Sequence, residues 1–524
     1  MSDQVQPAPA RTAGRRRPAF AVGLLLLLAT VAGPVGPQRA WAEVLVQGGG
    51  ARAALRAVGG RAVATLPVVG GVLARVPAGE AGALARLPGV RAVVDAERPL
   101  RVRGAADGPT GVAAPPVTSP EPAVPVQAGA GAGVAVGVLD TGIAPVAGLA
   151  GRVVARADLS RERGFTDSYG HGTFMAGLIA GQGGGGPAGV APGASLVDLR
   201  VAGADGSTTL GRVLLALQLA DAARERLSLR VLNLSLGAPP DDPATAPLTE
   251  AVERLWADGV TVVTAAGNEG GGVDAPGVDP YVVTVGALDP ADGTVPAWSG
   301  RGPDFAGRPK PDLVAPGVRV LGLRAPGSTV DAEHPEARVG DAWFRGSGTS
   351  MAAATVSGAA ALLAAAHPGW RPNRIKAALT AGADPVAGQA GAGALDVAAA
   401  LGLDAVAPAN GDLFPLRQVG VPRWDGWQAA DGGELRWAGE PAVDPGDWLA
   451  RSWAAQQWLA RSWAARSWAA QGFDAGDAAP AWAALQWAWV GLAVQPADPW
   501  TARSWAARSW AARHWATWGW EAAG

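Results

Sequence analysis

Four short motifs carry residues able to do chemistry together. Ser350 stands in Gly346-Ser347-Gly348-Thr349-Ser350-Met351-Ala352, a glycine-rich approach that runs into an Ala/Leu-rich segment ending near His367-Pro368-Gly369. The pattern predicts a helix whose first turn bears the serine, where backbone N–H groups and the positive dipole end can stabilise an oxyanion. Serine is also a common helix cap, so alone it decides nothing. Asp140 closes an apolar run in Val138-Leu139-Asp140-Thr141-Gly142, His171 lies in Tyr169-Gly170-His171-Gly172-Thr173, and Asn268 follows another apolar run in Ala265-Ala266-Gly267-Asn268. Each has a bland reading as turn, structural imidazole or loop amide. Four bland readings would have to hold independently, whereas one shared site needs a nucleophile, a base, an acid that orients the base and an oxyanion donor.

The elements that must position these residues alternate. Val134 to Leu139, Leu196 to Val201, Leu229 to Leu234, Val260 to Ala265 and Tyr281 to Val285 read as buried strands. Leu210 to Leu227 reads as a helix, as does the stretch in which Leu248, Ala251, Val252, Leu255 and Trp256 share one face. The order predicts an α/β, doubly wound, mostly parallel sheet, whose reactive groups gather at the carboxyl ends of strands.

With the order Asp, His, Asn, Ser in place, the chain resembles the subtilisin family of serine peptidases over roughly residues 131 to 404. Val201 to Ser207, Val231 to Gly237, Trp298 to Pro303 and Lys310 to Gly317 add to the likeness. The resemblance implies Ser350 as nucleophile, His171 as general base and then acid, Asp140 as its orienting carboxylate, and Asn268 as an oxyanion donor beside the Ser350 N–H. It implies protein or peptide substrates held between Gly203, Gly206 and Ser207 on one side and Ser235, Leu236 and Gly237 on the other, with Ala265, Ala266 and Gly267 as a wall of the primary pocket. No metal is required for this chemistry. Calcium is common among relatives, but no ligand set is assigned, because Asp241, Asp242 and Asp331 read equally as solvated loop charges. Phe174, and Ala354-Thr355 after the serine, depart from frequent family residues. Pro326 to Phe344 is longer and more polar than a minimal loop and is expected to shape specificity. Asn233-Leu234-Ser235 matches a glycosylation sequon but lies on an expected buried strand, so the match is set aside.

The remaining sequence frames this unit. The chain has 524 residues, 49% hydrophobic, net charge -2 and no cysteine, which excludes disulfides, thiolate metal sites and cysteine nucleophiles. No global basic field points to nucleic acid. Only two of the 43 basic residues are lysines, Lys310 and Lys376. Arg15-Arg16-Arg17, an apolar run from Phe20 to about Gly33 and Ala40-Trp41-Ala42 describe a secretory signal over residues 1–42, hence an extracellular enzyme. Residues 43–103 alternate short apolar runs with two Ala/Leu segments, a small α+β unit resembling the inhibitory propeptide of many secreted subtilisin-like proteases. It would make the product a self-inhibited zymogen. Residues 104–130 read as a linker.

From about 405 to 524, tryptophans recur every five residues in Arg-Ser-Trp-Ala-Ala units, as at Trp453, Trp458, Trp463 and Trp468. A five-residue step gives no single stripe on a helix and alternates faces on a strand. Similar tails occur in some actinobacterial relatives. A low-complexity expansion and a binding appendage for cell wall, membrane surface or protein stand level here.

Overall fold

The computed structural model describes residues 41–102 and 129–411, apart from short breaks at 163–165, 184, 241–244, 305–306 and 389, together with two short strands further on. The expected signal segment up to residue 40, most of the linker and the tryptophan repeats lie outside the described residues.

The N-terminal unit comprises β1 (Trp41–Gln47), α1 (Ala51–Ala57), β2 (Arg61–Leu66), β3 (Gly71–Pro77), α2 (Ala81–Leu84), β4 (Ala92–Asp95) and β5 (Pro99–Val102). Its four-stranded sheet has the order β2-β3-β1-β4, and β1 pairs antiparallel with both β3 and β4. Alternation along the strands gives two apolar faces. Val44, Val46, Val72 and Val76 pack with Ala54, Leu55 and Leu84 of the unit's own helices, whereas Leu45, Leu66 and Leu73 turn into the core of the larger domain. A boundary drawn after Ala42 falls inside β1, because Trp41 and Ala42 already pair with Pro77 and Val76.

The larger domain follows with β6 (Ala135–Asp140), β7 (Val153–Asp158), α3 (His171–Ala180), β8 (Ser195–Arg200), β9 (Ser207–Thr209), α4 (Leu210–Leu227), β10 (Leu229–Leu234), β11 (Leu236–Gly237), α5 (Thr245–Ala257), β12 (Thr261–Ala265) and β13 (Val283–Leu288). Then come the pair β14 (Gly302–Pro303) and β15 (Pro309–Lys310), β16 (Leu313–Pro316), β17 (Val320–Leu323), α6 (Thr329–Glu333), β18 (Arg338–Val339), β19 (Trp343–Gly346), α7 (Thr349–Ala366), α8 (Pro372–Ala381) and α9 (Val397–Leu401). The two further strands, β20 (Trp427–Ala429) and β21 (Leu435–Trp437), pair antiparallel.

Seven parallel strands form the central sheet in the order β16-β13-β12-β10-β6-β8-β7. Its inner strands β6, β10, β12 and β13 are mostly apolar because helices cover the sheet, α3 packing with α7 and α4 with α5, whereas β7 and β8 toward one edge carry Arg156, Asp158, Asp198 and Arg200. This is the doubly wound α/β architecture expected. The crossovers bring the carboxyl ends of β6 and β10 side by side, Leu139 opposite Leu234. Two boundaries move. The strand expected over Tyr281 to Val285 runs from Val283 to Leu288, because Asp279 takes the Tyr281 N–H at 2.7 Å and the neighbouring carbonyls face buried lysines. The domain also continues past 404 to 411, since Asn410 donates to the Tyr281 carbonyl at 3.3 Å and accepts from Arg308 at 3.1 Å.

Candidate active site

Asp140 is the last residue of β6 and His171 the first of α3, and both are buried. The chain can bring them together because Gly172 has no side chain: a Cβ there would run into the Gly142 carbonyl. The His171 Nδ1 lies 2.8 Å and 2.9 Å from the two Asp140 carboxylate oxygens. With Asp140 as a carboxylate, Nδ1 carries the hydrogen, and the Thr141 N–H donates to the same Asp140 Oδ1 at 2.8 Å. The other ring nitrogen, Nε2, is buried and has no hydrogen-bond partner among the described residues. In the neutral ring it is a free acceptor. Burial pulls the imidazole pKa down, but the charge and hydrogen bond of Asp140, with a further pull from Asp167, outweigh it, so the net shift is upward from 6.5.

A second carboxylate, not singled out from the sequence, fixes the start of α3. Asp167 Oδ2 accepts from the Thr173 N–H (2.8 Å) and hydroxyl (2.7 Å), and Oδ1 from the Gly170 N–H (2.7 Å) and the Thr141 hydroxyl (2.8 Å). Thr141 in turn accepts from the Gly172 N–H at 2.9 Å. Burial raises the Asp167 pKa against these bonds. The signal available was an aspartate four residues before the histidine, between Thr166 and Ser168.

Ser350 is the second residue of α7 and is fully buried, as is Thr349 beside it. Gly348 reaches that helix with φ +154°, and a Cβ there would sit 3.4 Å from both Asn268 Nδ2 and Met351 Sδ. The Asn268 Oδ1 accepts from the Thr349 N–H and the Thr349 hydroxyl, each at 2.9 Å. The Thr349 hydroxyl also accepts from the Gly267 N–H at 3.2 Å. With its oxygen tied to the helix start, the amide of Asn268 has only N–H groups left to offer a ligand. His171 and Met351, the residue after Ser350, line one small cavity. Asp140 is thus bonded to His171, Asn268 is bonded to the residue before Ser350, and α3 packs on α7.

The segments expected to flank substrate are also adjacent, with a strand between them. Gly203 to Gly206 form a turn that leads into β9 at Ser207, and Ser235 leads into β11 at Leu236. Strand β5 pairs antiparallel with both, giving the order β11-β5-β9. Arg101 stands opposite Ser207 and Gly237, Val102 opposite Leu236, and the Val102 N–H donates to the Gly206 carbonyl at 3.0 Å. Leu100 and Val102 turn into the core while Pro99 and Arg101 face out. Ala265 ends β12, and the carbonyls of Ala266 and Gly267 are taken by the Asp274 and Gly300 N–H groups at 3.2 and 2.9 Å, which pins that wall.

The long segment before the serine docks on both regions. Thr329 donates from its N–H to the Ser168 carbonyl (2.9 Å) and from its hydroxyl to the Ala204 carbonyl (2.7 Å), and Val330 donates to the Tyr169 carbonyl (3.0 Å). Asp331 is not a solvated loop charge. It is 3% exposed, and the guanidinium groups of Arg324 and Arg338 bind it at 2.9 and 2.8 Å. Those bonds, Arg324 first, hold its carboxyl well below the usual range. Asp241 and Asp242 lie outside the described residues. Among the described residues no group of three or more His, Asp or Glu side chains is arranged to hold a metal. Asn233 is fully buried, donating to the Ser235 hydroxyl and accepting from that of Ser357, both at 3.0 Å.

Residues 131–411 match the family described as Subtilase family. Over 275 residues the chain is 38% identical to serine protease AprX of Bacillus subtilis (strain 168), covering 48% of this chain and 62% of that protein. It is 36% identical over 248 residues to subtilisin Savinase of Lederbergia lenta, covering 47% of this chain and 81% of the relative. Among solved structures it is similar to fervidolysin from Fervidobacterium pennivorans, described as a keratinolytic enzyme related to subtilisin, with a TM-score of 0.56 at 24% identity over 70% of this chain and 62% of that one. The chain therefore spans about three-fifths of the length of AprX and of fervidolysin. At 24% identity the structural likeness carries the fold alone.

Proposed function

The chain belongs to the subtilase family, and from that premise we propose that it is a secreted serine endopeptidase made as a self-inhibited zymogen. The observation that carries the reading is the open Nε2 of a His171 already tied to Asp140, set beside a helix start where Thr349 orients Asn268. The serine hydroxyl is a weak nucleophile at its own pKa, so His171 Nε2 takes its proton as Ser350 Oγ bonds to the peptide carbonyl carbon. Asp140 stabilises the imidazolium without taking that proton. The tetrahedral oxyanion is held by the Asn268 amide N–H and the Ser350 backbone N–H. His171 then gives its proton to the leaving amine, and water repeats the sequence on the acyl-enzyme to free Ser350.

Substrate would add a strand between β9 and β11, where β5 now lies. That placement supports residues 43–103 as an inhibitory propeptide filling the cleft. Its grip is broad: Leu45, Leu66, Leu73 and Leu100 enter the main core, and Arg91 and Gln47 bind Glu250 at 2.7 and 2.8 Å. At about 1.5–3 kcal/mol for each fully buried aliphatic side chain, cleavage of the chain alone does not release such a unit. We further propose that the tryptophan tail retains the enzyme at a cell wall or membrane surface.

Fluorophosphonate labelling of the processed protein tests the central reading. The expected result is one adduct on Ser350, lost in Ser350→Ala. A folded, processed protein with no adduct at Ser350 overturns it. For the tail, a chain ending near 411 is expected to keep peptidase activity and lose surface retention, and equal retention removes that role.

A further inference from the structure

Between the segment Ser235 to Gly237 and the expected pocket wall Ala265 to Gly267 stands a carboxylate that neither wall announces. It belongs to Asp274, which is half-buried. The Asp274 N–H donates to the Ala266 carbonyl at 3.2 Å, and Ala275 beside it exchanges both backbone hydrogen bonds with Ala238, at 2.8 and 3.1 Å. Asp274 is thereby tied to the wall after β12 on one side and to the end of β11 on the other. The residues that face it from those two sides are glycines. A Cβ on Gly267, whose φ is +105°, would lie 2.9 Å from Asp274 Oδ2, and one on Gly237 would lie 2.9 Å from Asp274 Cβ and 3.4 Å from Oδ2. Two absent side chains leave room for this one.

An apolar group that fills such a pocket strips water from the carboxylate and returns no hydrogen bond. A guanidinium returns a charge-assisted pair of them. An acidic group in the primary pocket is one way a serine peptidase selects a basic side chain.

The strand that lies in the cleft leads to a matching residue. β5 runs antiparallel to β11, with Arg101 opposite Gly237 and Val102 opposite Leu236, so its chain direction is toward Ser235. Ser235 follows Leu234, which stands opposite Leu139, and the residue after Leu139 is Asp140, bonded to His171. The carboxyl end of β5 is thus aimed at the groups proposed to do the chemistry. Next in sequence come Arg103 and Gly104, which lie outside the described residues.

We infer that Asp274 makes the primary pocket selective for arginine, and that the chain's own maturation bond is Arg103–Gly104. The inference rests on the peptidase reading and adds the substrate class to it. The β5 register, carried one residue on, brings position 103 opposite Ser235 and so to this pocket. Hydrolysis there consumes one water, whose hydroxyl ends on the Arg103 carbonyl carbon while a proton ends on the Gly104 nitrogen.

A matched series of tetrapeptide p-nitroanilides, differing only in whether Arg, Lys, Leu, Phe or Glu precedes the anilide, tests the pocket in the processed protein alongside fluorophosphonate labelling. The expected kcat/KM is at least about fifty-fold higher for Arg than for Leu or Phe, and Asp274→Asn is expected to cut the Arg-to-Leu ratio by at least about ten-fold. Preference for Leu or Phe in a protein that labels at Ser350 overturns the inference and leaves the peptidase reading standing. No turnover of any member together with no label overturns both. A loss in Asp274→Asn shared equally by Arg and Leu overturns the pocket role, and preference for Lys overturns the choice of arginine. Should that variant fail to fold, the ratio in the parent decides. For the maturation bond, mass spectrometry of the released N-terminal fragment is expected to show Arg103 as its last residue, and Arg103→Glu to leave that bond uncut. A fragment ending elsewhere, or unchanged cleavage after position 103 in Arg103→Glu, overturns that assignment.

Discussion

Two buried sites in this molecule each hold a basic side chain against a carboxylate, and they differ in one valence. Around Lys376 the three N–H groups each have an oxygen within 2.9 Å. At His171 one ring nitrogen lies against both Asp140 oxygens and the other, also buried, has no partner among the described residues. The closed cluster contributes to the fold; the open one, on the function proposed above, takes the proton of Ser350.

The contrast is broken most severely at the open valence. Ser350→Ala and His171→Ala are each expected to lower kcat on a peptide substrate roughly a million-fold, and the double variant no further, a scale carried over from subtilisin itself. Independent, multiplying losses would show that the two do not act as one unit. Uncleaved precursor should accumulate in Ser350→Ala, and normal processing there would assign maturation to another protease. Next, Asp140→Asn should cost about ten-thousand-fold in kcat, because the amide favours the wrong imidazole tautomer. Asn268→Ala should cost roughly a hundred- to thousand-fold in kcat with little change in KM, again on the subtilisin scale. A change confined to KM would place Asn268 in substrate binding instead. Thr349→Val, which removes the hydroxyl that orients the Asn268 amide, is expected to lower kcat by about ten-fold. Last, Lys376→Met should leave turnover per folded molecule unchanged while lowering stability by about 1–3 kcal/mol in denaturant unfolding.

What was legible in the sequence follows the same division. Ser350, His171, Asp140 and Asn268 stand out because strand and helix ends in a parallel sheet converge and the chemistry needs those residue types there. Thr349, Thr141 and Asp167 were hidden, because a threonine beside a glycine, or an aspartate between Thr166 and Ser168, reads as ordinary turn chemistry until its partner is known. The strand Pro99–Val102 was read only as the end of a small unit; its partners, Ser207–Thr209 and Leu236–Gly237, are more than a hundred residues away. The buried surroundings of Lys376 had no side-chain signature, since three of the four oxygens around its Nζ, those of Pro280, Tyr281 and Val282, belong to the backbone and only the fourth to Asp312. The same carbonyls explain the misplaced start of β13: residues 280–282 direct them at Lys376 and Lys310 before the strand begins.

The most direct measurement is the rate of fluorophosphonate addition to Ser350 as a function of pH, in the processed enzyme and in Asp140→Asn. The reactive form needs neutral His171, whose pKa lies above 6.5, so the rate should be full at alkaline pH and fall as pH drops through that raised value. Removing the Asp140 charge should move the midpoint downward and slow the reaction. A rate that ignores pH across this range, or that Asp140→Asn leaves unchanged, would contradict the account.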